Sequence, residues 1–146
     1  MLRQIRSFLQ LNHRRKLLLL EAYIFLAWAR YRKSRKFSRI SPDLGHRMKE
    51  TSFQLNDREM EIVKLVSHTL HVASRYTFWE SKCLVKAIAG MKMLERRGIE
   101  STIYLGVAKD EKGLNAHAWL RSGEFYVSGS DGMEKYTVVE KFAKFI

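Results

Sequence analysis

The chain has 146 residues, a length that suits one domain with its own hydrophobic core. It contains one cysteine, Cys83, so an internal disulfide is excluded and a reducing compartment, the cytoplasm, is expected. The formal net charge of +12 favours an anionic partner, which would be an acidic protein, a nucleic acid or a lipid surface.

The positive charge is concentrated in the first third of the chain. Residues 1–50 carry 13 Lys/Arg and 3 Asp/Glu, a balance of +10, whereas residues 51–146 carry 14 and 12, a balance of +2. A solvated basic face is the simplest interpretation, and a platform for a partner, a peptide or an anionic surface is the alternative. We predict a basic helical region over 1–55 and a second region over 56–146, together forming one compact domain.

An apolar run from Leu17 to Trp28 lies between two clusters of basic residues. Glu21 interrupts this run, which falls short of the roughly 18–20 residues that a membrane-spanning helix needs. We therefore predict a helix packed on the core, with peripheral contact to the inner face of the membrane as an alternative. Residues 34–55 contain the only proline and predict a connector.

The next element is predicted to be a helix that begins at Asn56. Asn56 would act as its N-cap, and Glu59 would complete a capping box. Apolar residues then recur at the helical period. His68 and His71 have a spacing that metal ligands can share, but no third ligand accompanies them, so no metal is expected.

A second helix is predicted from about Lys82 to Arg97, with Ser81 as its N-cap and Gly98 as its terminator. After Gly98 the apolar pattern changes to alternation, which predicts strands. These strands cover Thr102–Ala108, Ala116–Leu120 and Phe125–Ser128. Helices followed by an antiparallel meander, with one helix packed on it, predict an α+β fold.

Cys83 and His117 are the candidate catalytic pair. Cys83 lies at the start of a predicted helix, where unpaired N–H groups and the helix dipole favour a thiolate, the nucleophilic form. His117 lies in a short strand between Ala116 and Ala118, with Trp119 on the same face by alternation. A strand histidine within reach of a helix-start cysteine is the arrangement that nucleophilic catalysis requires. A buried cysteine and a core histidine are the structural alternatives.

Four sequence blocks, in this order and at these spacings, resemble the lasso-peptide leader peptidases. The blocks are Phe78–Leu84, Met93–Ile99, Tyr104–Val107 and Ala116–Leu120, and the resemblance extends over about residues 78–142. It implies a transglutaminase-like, papain-related fold and a cysteine peptidase that removes the leader from a ribosomally made precursor peptide. A separate ATP-dependent cyclase would then close the ring.

The same resemblance implies roles and partners. Cys83 would be the nucleophile, with its own N–H as one oxyanion donor, and His117 the general base and then the acid. The front third lacks the strand pattern of a fused recognition domain, which suggests the split form that relies on a small separate leader-recognition protein. The expected partners are therefore the precursor leader, that protein and the cyclase. Nucleic acid is disfavoured, and no cofactor is expected.

The family pattern commonly places an aspartate on the strand after the histidine, where it orients the imidazole. In this chain that position falls on Ser128, which we take as the candidate orienter. Asp131, three residues later, is the alternative. A hydroxyl can accept from the imidazole N–H but stabilises an imidazolium less than a carboxylate does.

Two other functions remain open from the sequence. The same catalytic pair could pass an acyl group to an amine, as transglutaminases do. Alternatively, the chain could be a non-catalytic basic helical module that binds nucleic acid or membrane. The charge asymmetry favours this last function, and the ordered blocks oppose it.

Overall fold

The computed structural model describes Arg6 and residues 12–33, 41–77 and 82–146. The helices within these ranges are α1 (His13–Lys33), α2 (Asp57–Ser74) and α3 (Cys83–Arg96), with short 3-10 helices at Ser41–Leu44 and Met133–Lys135. The strands are β1 (His46–Arg47), β2 (Ser101–Asp110), β3 (Gly113–Ser122), β4 (Phe125–Ser128) and β5 (Thr137–Lys144). The α+β class is confirmed.

The capping box at the start of α2 is confirmed. The Asn56 side chain accepts a hydrogen bond from the Glu59 N–H at 2.8 Å, and the Glu59 carboxylate accepts from the Asn56 N–H at 3.2 Å. Such a cap contributes about 1 kcal/mol to stability. From this start the apolar stripe of α2 turns toward the core and buries Val63, Val66 and Leu70.

α3 begins one residue later than predicted, and the prediction of Ser81 as its N-cap is wrong. The N-cap is Lys82, which is extended, and its carbonyl accepts the first helical hydrogen bond from the Lys86 N–H at 3.0 Å. The Lys82 side chain makes no capping bond, and Ser81 itself lies outside the described residues. Gly98 ends the helix as predicted, in the left-handed conformation at φ +69°.

The sheet is antiparallel throughout and has the order β1-β5-β2-β3-β4. The predicted meander of β2, β3 and β4 is therefore confirmed. We did not predict β5, which pairs with the other side of β2. Its alternation is weak, because only Phe142 and Ala143 along it are buried.

The helices cover one face of the sheet. α3 packs on β3, and its close approach depends on Gly90, where an added Cβ would lie 2.8 Å from Leu120 Cδ2. α1 lies on α2 and α3 and buries Ala22, Leu26 and Ala29 in the same core. The prediction that α1 packs on the core is confirmed, and the boundary at residue 55 stays a prediction. None of the helices in the described ranges is long and apolar enough to cross a membrane.

Candidate active site

Cys83 is the first residue of α3, and its thiol is free and half-buried. The first intrahelical donor is the Lys86 N–H, so the helix provides no acceptor for the N–H groups of Cys83, Leu84 and Val85. These three donors mark the positive end of the helix dipole, which stabilises negative charge placed beside it. The position suits a thiolate nucleophile and the oxyanion that forms after its attack.

His117 lies on β3 opposite Gly106 of β2. Its Nε2 atom is 2.7 Å from the main-chain carbonyl oxygen of Gly129. A carbonyl oxygen can only accept, so Nε2 must donate and therefore carries the proton. In the neutral ring, Nδ1 is then the basic nitrogen. His117 is held in the tautomer that can accept a proton at Nδ1.

Two aromatic rings flank the imidazole of His117. The Trp119 ring lies 5.7 Å away and the Tyr136 ring 5.0 Å away, measured between ring centroids. Gly106 leaves the space for both, because an added Cβ there would come within 2.9 Å of each of these side chains. The prediction that Trp119 shares the face of His117 is confirmed. The rings limit how far the imidazole can turn.

A buried arginine extends this row along the same face of β3. Arg121 is only 1% exposed, and its Nε donates to the Tyr104 hydroxyl at 2.8 Å. It also donates to the carbonyl oxygens of Thr51 at 3.0 Å and Gly123 at 2.7 Å. Tyr104 in turn stacks on Trp119, with 5.7 Å between centroids. We did not predict this network, since an arginine in a strand is usually exposed to solvent.

Cys83 and His117 lie on the same side of the crossing between α3 and β3. α3 crosses β3 where Gly90 meets Leu120. From that crossing, Cys83 lies seven residues back along the helix, about 10.5 Å, and His117 three residues back along the strand, about 10 Å. Both displacements run in the same direction, because α3 leads into β2, which is antiparallel to β3.

The His117 side chain starts on the face of the sheet opposite α3, the helix that begins with Cys83. Leu120 points toward α3, so His117, three residues away, starts on the opposite face with Trp119. β4 ends at Ser128, opposite Leu120, so the edge of β3 is uncovered by a strand at His117. Among the described residues no hydrogen bond joins Cys83 to His117. The described structure therefore does not bring the thiol and the imidazole into hydrogen-bonding contact, and such a contact would need a rearrangement around this edge of β3.

Neither candidate orienter bonds to His117. The Ser128 hydroxyl is buried and has no hydrogen-bond partner among the described residues, and Asp131 is exposed in the turn that follows. The Gly129 carbonyl, between them in sequence, makes the hydrogen bond to Nε2 instead. The sequence did not predict Gly129 as the partner of His117, because only side chains were considered as acceptors for the imidazole N–H. The available signal was the pair of glycines at 129 and 132, which follow the predicted strand.

The two histidines of α2, His68 and His71, have a spacing that metal ligands can share. Burial lowers the pKa of His71, and the nearby charges of Lys86 and Arg75 lower it further, which favours the neutral ring. Within the described ranges, no group of three His, Cys, Asp or Glu residues is arranged to hold a metal ion.

Residues 18–141, which include Cys83, His117 and Gly129, match the family model of the transglutaminase-like superfamily. The match covers most of the chain and contains α3, β3 and the loop after β4, which carry these three residues. No curated protein and no solved structure matches the sequence. The superfamily generally contains cysteine-based enzymes, which act as proteases or as transglutaminases. With its matching span and its helix-start cysteine, this chain belongs to the transglutaminase-like superfamily.

Proposed function

We propose that this protein is a cysteine peptidase that removes the leader from a lasso-peptide precursor, before a separate cyclase closes the ring. The observation that carries the proposal is the hydrogen bond from His117 Nε2 to Gly129, which leaves the basic nitrogen Nδ1 available to take a proton from the nucleophile. Family membership and the four ordered blocks between residues 78 and 120 support it further.

The reaction follows the usual chemistry of a cysteine–histidine pair. His117 Nδ1 takes the proton of the Cys83 thiol, and the thiolate attacks the scissile carbonyl carbon. The tetrahedral oxyanion accepts a hydrogen bond from the Cys83 N–H. As the C–N bond breaks, the imidazolium gives its proton to the leaving amine. His117 then deprotonates a water that attacks the thioester, which releases the carboxylate and restores the thiol.

The basic front third supplies a site for the partners in this proposal. α1 buries one apolar face, but Leu17, Leu20 and Ile24 on another face are 53–56% exposed. The 50-residue segment that contains them has a balance of +10. An exposed apolar strip on a helix of a strongly basic segment suits an acidic, partly apolar partner, such as a leader peptide or the separate recognition protein that presents it.

Candidate precursor peptides, incubated with the protein with and without the recognition protein and followed by mass spectrometry, test the function. We expect leader removal by the wild type and a loss of at least about 10³-fold in Cys83→Ala and in His117→Ala. Circular dichroism and thermal melting serve as controls for folding. Near-normal cleavage by folded Cys83→Ala contradicts the mechanism. An amide product formed only with an added amine would assign acyl transfer instead.

A further inference from the structure

We propose that the main-chain carbonyl of Gly129, rather than a carboxylate or the Ser128 hydroxyl, orients His117 and fixes its tautomer. Gly129 is then a positioning residue, since it acts through the imidazole and does not touch the substrate. The catalytic consequence rests on the proposed function, whereas the tautomer does not.

The contact geometry favours this carbonyl over the two side chains nearby. The distance of 2.7 Å between Nε2 and the Gly129 oxygen is at the short end for an N–H···O hydrogen bond. The Ser128 hydroxyl is buried without a partner among the described residues, and Asp131 is exposed. Of these three groups, only the carbonyl satisfies the imidazole N–H.

The conformation of Gly129 explains why the carbonyl is in place. Its φ is +76°, a left-handed value that residues with a Cβ rarely adopt. The loop also lies directly against β3. An added Cβ would be 2.4 Å from the Ala118 carbonyl oxygen and 2.9 Å from Trp119 Cβ. Both contacts belong to the residues that immediately follow His117, so the loop and the imidazole are held on the same short stretch of β3.

A neutral carbonyl and a carboxylate differ in what they do for the base. Either one fixes the ring and its tautomer, because both accept from Nε2–H. Only a carboxylate adds a negative charge that favours the imidazolium. A carbonyl orienter therefore makes the base depend on the position of the backbone and not on any nearby acid.

Gly132 provides a matched control for this claim. It lies three residues further along the same loop, with a φ of +74°, and an added Cβ would meet no atom within 4 Å. Gly132→Ala therefore carries the same backbone strain as Gly129→Ala without the collision. A difference between the two variants reports the displacement of the Gly129 carbonyl.

The test is the ring tautomer of His117 in the full chain, read from long-range ¹H–¹⁵N spectra at a pH where the ring is neutral. The chain has five histidines, and His117→Gln identifies the signal. We expect the Nε2–H tautomer in the wild type, in Gly132→Ala, in Ser128→Ala and in Asp131→Asn. Gly129→Ala should give a mixture of tautomers. In the cleavage assay it should lower kcat about 10²-fold with little change in KM.

Several results overturn the inference. They are an Nδ1–H tautomer in the wild type, a loss of the Nε2–H tautomer in Ser128→Ala or Asp131→Asn, and equal spectra for the two glycine variants. If Gly129→Ala does not fold, the wild-type, Ser128→Ala and Asp131→Asn spectra decide alone. A protein that shows the expected tautomers but cleaves no precursor contradicts the proposed function and leaves this inference standing.

Discussion

Replacing His117 with cysteine tests whether β3 and the start of α3 come together as the catalytic pair requires. Cys83 is the only native cysteine, so His117→Cys contains one possible intramolecular disulfide. Such a bond forms only when the two Cα atoms lie about 4.4–6.8 Å apart. Success would therefore place the two residues within reach of each other around the uncovered edge of β3.

The expected outcome follows from their positions along the sheet. Measured from the crossing of Gly90 and Leu120, Cys83 lies about 10.5 Å along α3 and His117 about 10 Å along β3, on the same side of the crossing. Leu114 lies three residues further along β3, about 10 Å beyond His117, and its side chain is exposed. Leu114 lies farther from Cys83 along the strand than His117 does, so Leu114→Cys serves as the distance control.

The assay is mild oxidation at low protein concentration, with the disulfide measured by non-reducing mass spectrometry and thiol counting. We expect His117→Cys to close within the monomer much faster than Leu114→Cys, and reduction to restore both thiols. Equal rates in the two variants, or dimers as the main product of His117→Cys, would refute the proposed contact between Cys83 and His117.

Two further predictions concern α1. Glu21 accepts bidentate hydrogen bonds from Arg97 at 2.6 and 2.8 Å. Burial would raise the pKa of Glu21, but the hydrogen bonds and charge of Arg97, followed by those of Arg96, outweigh burial and lower it below the ordinary value of 4.5. Glu21→Gln should therefore cost about 1–2 kcal/mol near pH 7, which thermal melting would show as a fall of about 3–8 °C in Tm. The difference in stability between the wild type and Glu21→Gln should be complete above pH 4.5, and it should vanish as the pH falls through the lowered pKa of Glu21. A stability difference that does not depend on pH would exclude this ion pair as its source. Ile24→Gln, at an exposed position, should weaken binding of the precursor or recognition protein and change the stability by less than about 0.5 kcal/mol. Leu26→Ala, at a buried position, should instead cost about 2–5 kcal/mol of stability. Calorimetry measures the binding and thermal melting the stability, and unchanged binding in Ile24→Gln would remove this face of α1 from the proposed platform.

Much of the fold could be predicted because the signals were local. The capping box at Asn56 and the terminator at Gly98 are satisfied within one helical turn, so neighbouring residues contain all the information. The strand over Phe125–Ser128 has the predicted bounds, since a tight turn precedes it. Periodicity also identified the apolar face of α2, because only one side of that helix can meet the core.

The features that were missed depend on contacts between distant parts of the chain. β5 has little alternation of its own and becomes a strand because β2 offers it an unpaired edge. Arg121 is buried because acceptors from Glu50, Thr51 and Tyr104 surround it, more than 15 residues away in sequence. No window of the sequence shows such partners before the chain folds.

The orientation of His117 shows the same limit at the site itself. From the sequence, the strand after the histidine offers Ser128 and then Asp131 as polar side chains, and chemistry ranks a carboxylate above a hydroxyl. The ranking omits the main chain, although every residue of a loop carries a carbonyl oxygen that accepts equally well from an imidazole N–H. Which carbonyl reaches the ring is set by where the loop can lie close to β3, and that requires a residue without a Cβ. Gly129 meets this requirement, so in this loop the glycine determines the acceptor.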